Sequence, residues 1–350
     1  MAYQLTRRSL LSGAAASGLG LGLSGCMGPV SRQSSSADAS VSWEVFDNRF
    51  SDIVASDEPT RLLGEGYQWA EGPAWDRDRK KLYFTDVPQN RAFQWREGEA
   101  VQTFLDPSGI APDQATGMRE PGANGLLQSR DGSLLICNHG KRAVEKMDLT
   151  SGERSTIVAQ YDGKQFNSPN DIIEAADGTL YFTDPPYGLE GLDASPLKEM
   201  TKNGVYRVRP DGEINRLIDT MTFPNGVVLS PDESTLFISQ SDPKAPQIRT
   251  LSLTSEASQS SLWFDASPFM DGHQGLPDGM AVSTAGQVFL AGPGGVLVID
   301  QTGVCLGRIG TGRATANCTF GEDGRTLFIT AQDRLLAVRT KVRGAGRFKG

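Results

Sequence analysis

One six-residue phrase recurs along this chain and constrains its fold more than any other feature. It reads Lys81-Leu-Tyr-Phe-Thr-Asp86, Ser133-Leu-Leu-Ile-Cys-Asn138 and Thr179-Leu-Tyr-Phe-Thr-Asp184. It returns as Thr235-Leu-Phe-Ile-Ser-Gln240, Gln287-Val-Phe-Leu-Ala-Gly292 and Thr326-Leu-Phe-Ile-Thr-Ala331. The second residue of each copy falls at 82, 134, 180, 236, 288 and 327, at spacings of 52, 46, 56, 52 and 39. A short run of aromatic and branched residues bounded by polar turns is a strand. Each copy is followed by a further strand-like run, including 142–148, 205–209, 248–253, 296–300 and 335–339. Periods of about 40–50 residues suit four-stranded propeller blades. The pattern therefore predicts an all-β chain, a six-bladed β-propeller of four-stranded blades over residues 42–345. Residues 41–46 are expected to pair with the last blade and close the ring without an open edge. Seven blades or another all-β stack are the alternatives.

The phrase also carries a second repeat. Upstream of each copy stands one small polar or acidic residue: Glu71, Asn124, Asn170, Asn225, Asp278 and Asn317. Their offsets to the aligned strand position are 11, 10, 10, 11, 10 and 10. Equal offsets put all six at the entry to the innermost strand of a blade, so their side chains are expected to converge on one mouth of the central channel. Taken singly, Asn-Gly and Asp-Gly read as hairpin turns; a register of six does not. Carboxylates gathered at one point repel unless a cation or a raised pKa relieves them. Oxygen donors without thiolate or imidazole suit a hard divalent ion, with Ca²⁺ favoured and Mg²⁺ or Mn²⁺ as alternatives. His139 and the long connections 106–122 and 185–203 belong to the same face, the histidine as a candidate substrate contact and the connections as lids.

Composition removes other classes. The 34 basic and 42 acidic residues give a net charge of −8, without the basic footprint of a nucleic-acid binder. Two histidines and four cysteines exclude a His-rich metal site and a disulfide scaffold, although a Cys305–Cys318 bridge stays open. Neither a Gly-x-x-x-x-Gly-Lys-Ser/Thr loop nor a Gly-x-Ser-x-Gly elbow occurs, so neither a nucleotide cofactor nor a serine hydrolase is expected. Gly20-x-Gly22-x-x-Gly25 matches a dinucleotide fingerprint only formally, because no strand precedes it.

The first 25 residues read as an export signal. Arg7 and Arg8 precede an apolar run over residues 10–23, too short to span a bilayer comfortably. The arginine pair resembles a twin-arginine signal, and Leu23-Ser24-Gly25-Cys26 resembles a lipobox. Cys26 is then the lipidation site, residues 26–41 form a small polar tether, and the protein is expected on a bacterial membrane facing the periplasm.

The segments around Glu71, Asn170, Asn225 and Asp278 resemble the senescence-marker-protein/gluconolactonase (regucalcin-like) family of six-bladed propellers. Cys137-Asn-His-Gly140, Ser168-Pro-Asn-Asp171 and Thr183-Asp-Pro-Pro-Tyr187 are similar to its bacterial gluconolactonase-like branch. The resemblance covers roughly residues 44 to 340. It implies one divalent metal ion, Ca²⁺ before Mg²⁺, Mn²⁺ or Zn²⁺, and hydrolysis of sugar-acid lactones. Carried over, Glu71, Asn225 and Asp278 are metal ligands and Asn170 contacts metal or substrate. Asp278 is also the candidate general base, and Asn124 and His139 are candidate substrate contacts. The animal branch has an arginine two residues before Asn170, where this chain has Ser168. A non-catalytic propeller binding a sugar acid or a protein around a structural Ca²⁺, and a phosphotriesterase-like hydrolase, are the alternative functions.

Overall fold

The computed structural model describes residues 41–255 and 259–346. The signal segment, Cys26 and all but the last residue of the tether lie outside the described residues. Six antiparallel blades follow one another along the chain, their inner strands being Ala70–Asp76, Ala123–Gln128, Ile172–Glu174, Pro224–Leu229, Met280–Val282 and Asn317–Gly321. The repeated phrase is the second strand of every blade, for example Lys81–Asp86 and Thr235–Gln240. A two-stranded ribbon, Gln160–Tyr161 with Lys164–Gln165, is inserted between the second and third blades.

The packing explains why the three central positions of that phrase are all apolar rather than alternating. Successive side chains of a strand point to opposite faces, and each blade is covered on both faces by its neighbours. Leu82 and Phe84 pack with Phe328 and Leu335 of the sixth blade, whereas Tyr83 packs with Leu134 and Ile136 of the second. Leu135 and Cys137 turn the other way, onto Phe182 and Tyr206 of the third. The core is thus six separate clusters, one at each blade interface.

Ring closure differs from the sequence expectation. Ser42–Val45 does not join the last blade but adds a fifth strand to the outer edge of the fifth, pairing with Cys305–Gly310. The closing strand is Arg61–Glu65, which pairs with Arg334–Arg339 as the outer strand of the sixth blade. The physical reason is reach. Arg61–Glu65 lies just before the first inner strand and abuts the open sixth-blade edge, whereas Ser42–Val45 is displaced by a 3₁₀ turn at Asn48–Asp52. Arg308, buried in the fifth blade, holds the added strand through Glu44 at 2.8 Å. Cys137, Cys305 and Cys318 are free thiols, so Cys305 and Cys318 are not bridged.

Candidate active site at the channel mouth

In the first, third and fourth blades the end of the repeated strand aims the site residues. Asp86 accepts the backbone N–H groups of Gln68 (2.8 Å) and Trp69 (3.1 Å), fixing the loop that delivers Glu71. Asp184 does the same for Asn167 and Ser168, both at 2.8 Å, and so sets Asn170. Gln240 accepts from Thr222 N at 3.0 Å, three residues before Asn225. The hydroxyl one position earlier reaches the next blade: Thr85 to the Asn124 carbonyl (3.1 Å), Thr183 to that of Asn225 (2.6 Å) and Ser239 to that of Asp278 (2.7 Å). Two residues of one six-residue phrase therefore position two consecutive members of the ring.

The glycines following the site residues are not turn residues. Gly125 and Gly226 lie inside inner strands, and a Cβ there would collide with the carbonyl oxygens of Asn170 and Asp278 in the next blade. Glycine is needed because the blades approach closely, not because the chain reverses. The third and sixth blades depart from this rule, placing Asp171 and Cys318 where the other four carry glycine.

The six aligned residues do come together. Asn124 Nδ2 donates to Asn170 Oδ1 at 2.8 Å, Asn170 Nδ2 to Asn225 Oδ1 at 2.6 Å, and Asn225 Nδ2 to Ser241 Oγ at 2.8 Å. Ser241 in turn donates to the Pro277 carbonyl beside Asp278. Asn317 Nδ2 donates to Glu71 Oε2 at 3.2 Å. His139 is fully buried with Nε2 3.3 Å from Asn124 Nδ2, so the sequence-derived substrate contact sits on this ring.

Charge is concentrated here. Burial pushes Glu71 up to about 8, with the Asp171 and Glu120 charges adding to it against the Gly72 N–H and the Asn317 amide. Asp278 is held well above the ordinary carboxylate range by burial and then by the Glu71 and Asp171 charges, and its Oδ1 is buried without a partner. Burial takes Asp171 up to about 6. Carboxylates pushed up by each other are what a bound cation relieves. Among the described residues no cluster of three or more His, Cys, Asp or Glu side chains forms a metal site; the donor set is mixed, two carboxylates with two amides. Glu71 Oε2 is occupied by Gly72 N and Asn317, which leaves Oε1, while Asp278 contributes its orphaned Oδ1. With the carbonyl oxygens of Asn170 and Asn225, these are the hard oxygen donors a divalent cation such as Ca²⁺ requires. The residues present fit such an ion.

Sequence reasoning missed Asp171, Ser241 and Glu120. Asp171 could have been found as the one acidic residue among the two that break the glycine pattern; Ser241 and Glu120 carry no repeat signal. The two lids are zipped to each other: Arg119 N donates to Gly188 O (2.8 Å), Glu190 N to Gly117 O (2.9 Å), and Arg119 Nε to Tyr187 O (2.9 Å). Ser168, where the animal branch carries arginine, is buried and donates to Pro185 O at the root of this lid. A cavity of about 410 Å³ lies between Trp75, Gln128, Glu174 and Val282, and Asp171 and Asn317 of the ring also line it. Glu71, Asp278 and His139 do not line it.

Residues 69–333 match the SMP-30/gluconolactonase/LRE-like region. The chain is 42% identical over 306 residues to a gluconolactonase of Zymomonas mobilis, covering 85% of this chain and 86% of that one. It is 25% identical over 279 residues to a pentonolactonase of Haloferax volcanii, covering 77% and 84%. A solved gluconolactonase from Xanthomonas campestris superposes with a TM-score of 0.76 at 30% identity, covering 89% of this chain and 99% of that one.

Proposed function

This chain belongs to the SMP-30/gluconolactonase/LRE-like family, and on that premise we propose that it hydrolyses sugar-acid lactones at the ring containing Glu71 and Asp278. The observation that carries the reading is the buried carboxylate pair beneath the lids, with Asp278 Oδ1 unpartnered. The gluconolactonase and pentonolactonase relatives support the substrate class.

Glu71, Asn170, Asn225 and Asp278 would hold one divalent cation, Ca²⁺ before Mg²⁺, Mn²⁺ or Zn²⁺. When bound, such an ion supplies polarisation of the lactone carbonyl and a counter-charge for the oxyanion. The chain supplies the rest. Asp278 accepts a proton from the attacking water, the acyl C–O bond of the ring breaks, and Asp278 returns that proton to the ring oxygen to give the open hydroxy acid. The amide chain from Asn124 to Ser241 keeps the carbonyl oxygens of Asn170 and Asn225 oriented, and the zipped lids limit access of bulk water.

A panel of aldonolactones assayed on metal-stripped protein, with each divalent ion restored in turn, tests this. Activity is expected to vanish on stripping and return with Ca²⁺. Absence of hydrolysis with every ion would remove the reading in favour of a binding propeller. We also propose export by a twin-arginine route and anchoring through a lipidated Cys26 on a bacterial membrane, facing the periplasm. The paired arginines, the apolar run at 10–23 and Leu23-Ser24-Gly25-Cys26 support this placement.

A further inference from the structure

His139 has one nitrogen accounted for and one that is not. Asn124 gives one amide proton to Asn170 Oδ1 and points the amide nitrogen at His139 Nε2, so Nε2 is the acceptor and the ring proton sits on Nδ1. Burial keeps the imidazole neutral. Nδ1 is itself buried and has no hydrogen-bond partner in the chain. A buried donor left unmatched costs about 1–3 kcal/mol, so its partner is an oxygen from outside the chain, an ordered water or the substrate hydroxyl that displaces it.

Glu120 faces the same point from the 106–122 lid. Its Oε1 is held by Arg119 Nη2 at 2.5 Å, and Arg119 is pinned to the Tyr187 carbonyl of the other lid. Its Oε2 stands 3.6 Å from His139 Nδ1, outside hydrogen-bond range. A donor and an acceptor at this separation can both reach one oxygen lying to the side of the line between them. A hydroxyl group there accepts from Nδ1–H and donates to the carboxylate, which matches both of its hydrogen-bonding roles. A carbonyl or an ether oxygen matches only one.

We propose that Glu120 and His139 form a two-point subsite for one ring or side-chain hydroxyl of the substrate, selecting polyhydroxylated lactones over unsubstituted ones. This rests on the lactonase reading. It adds that selectivity comes from a lid carboxylate acting with His139 rather than from the oxygen donors that would hold the metal. Sites built to bond a hydroxyl reject analogues lacking it, because their polar groups are then left unpaired.

The test uses the full Ca²⁺-supplemented protein and its Glu120→Ala and Glu120→Gln variants, with folding checked by melting temperature. For each, kcat/KM is measured on glucono-1,5-lactone and on δ-valerolactone, which has no hydroxyls. The preference for the hydroxylated lactone is expected to fall about 10–100-fold in Glu120→Ala, through KM, and less in Glu120→Gln, which keeps a neutral acceptor. Calorimetric titration with the inert cyclic polyol 1,5-anhydroglucitol should show the same weakening without any turnover, while Ca²⁺ affinity changes by less than about threefold. If the parent protein hydrolyses neither lactone, the lactonase reading fails and the polyol titration alone decides the subsite. An equal loss on both lactones, or polyol binding that is unaltered in Glu120→Ala, overturns the proposal.

Discussion

Asn317, in the last blade, donates its side-chain amide to Glu71, in the first, at 3.2 Å across the seam where the ring closes. The sixth aligned residue thus serves the site by holding a carboxylate. Removing it leaves Glu71 Oε2 with the Gly72 N–H alone. Asn317→Ala should weaken divalent-metal binding by about tenfold, the effect of one lost hydrogen bond to a charged group. At saturating metal, kcat should stay within a few-fold of the parent. Metal titration followed by rate measurement separates the two.

Asp278→Asn removes the negative charge and the basic oxygen at nearly constant size. If Asp278 accepts the proton of the attacking water, hydrolysis should fall by about 10²–10⁴. Metal content measured on the same samples tells the roles apart, since retained metal with lost activity marks the base. Near-normal rates under saturating metal would falsify this assignment.

Glu71, raised from 4.5 to about 8, and Asp171, raised from 3.8 to about 6, give the metal-free protein a definite pH response. Both hold protons in the folded chain that the unfolded chain releases. Their contribution is complete below about pH 4 and is lost as pH rises through 6 and then 8. The melting temperature of stripped protein should therefore decline from pH 5 to pH 8.5, and Ca²⁺ should restore most of it at the alkaline end. A flat profile in stripped protein would contradict the burial of these carboxylates.

Gly226→Ala places a methyl group against the Asp278 carbonyl oxygen of the neighbouring blade. Overpacking of this kind costs about 1–3 kcal/mol, and here it acts on the backbone that carries Asp278. Both denaturant stability and metal affinity should drop. Ala at the exposed turn glycine Gly98, where nothing lies within 4 Å, serves as the control for metal affinity.

Cys26→Ser should shift the protein from a membrane to a soluble fraction in the producing bacterium, with the propeller still folded. Intact-mass measurement of the mature protein gives the direct answer. An unmodified N-terminus downstream of residue 26 would end the lipoprotein assignment.

The repeated phrase was sufficient for the architecture, because blade strands are buried on both faces and their three central positions must all be apolar. Strand edges such as Lys81–Asp86 and Thr235–Gln240 are readable from residue type alone. The ring of Glu71, Asn124, Asn170, Asn225, Asp278 and Asn317 was legible for the same reason, since rotational symmetry turns equal offsets into one location. Features that break the symmetry were decided only in three dimensions. Which N-terminal strand closes the ring depends on which edge each can reach, and the local pattern of 41–46 carries no such information. Asn-Gly reads identically in a hairpin and at a crowded blade contact; only the neighbouring carbonyl tells them apart. Glu120 and Ser241 lie in non-repeating connections, and they join the site through contacts with residues 19 and 36 positions away, His139 and Pro277. Short-range sequence reports the periodic strands, whereas the lids that shape the mouth are fixed by long-range pairing of non-periodic chain.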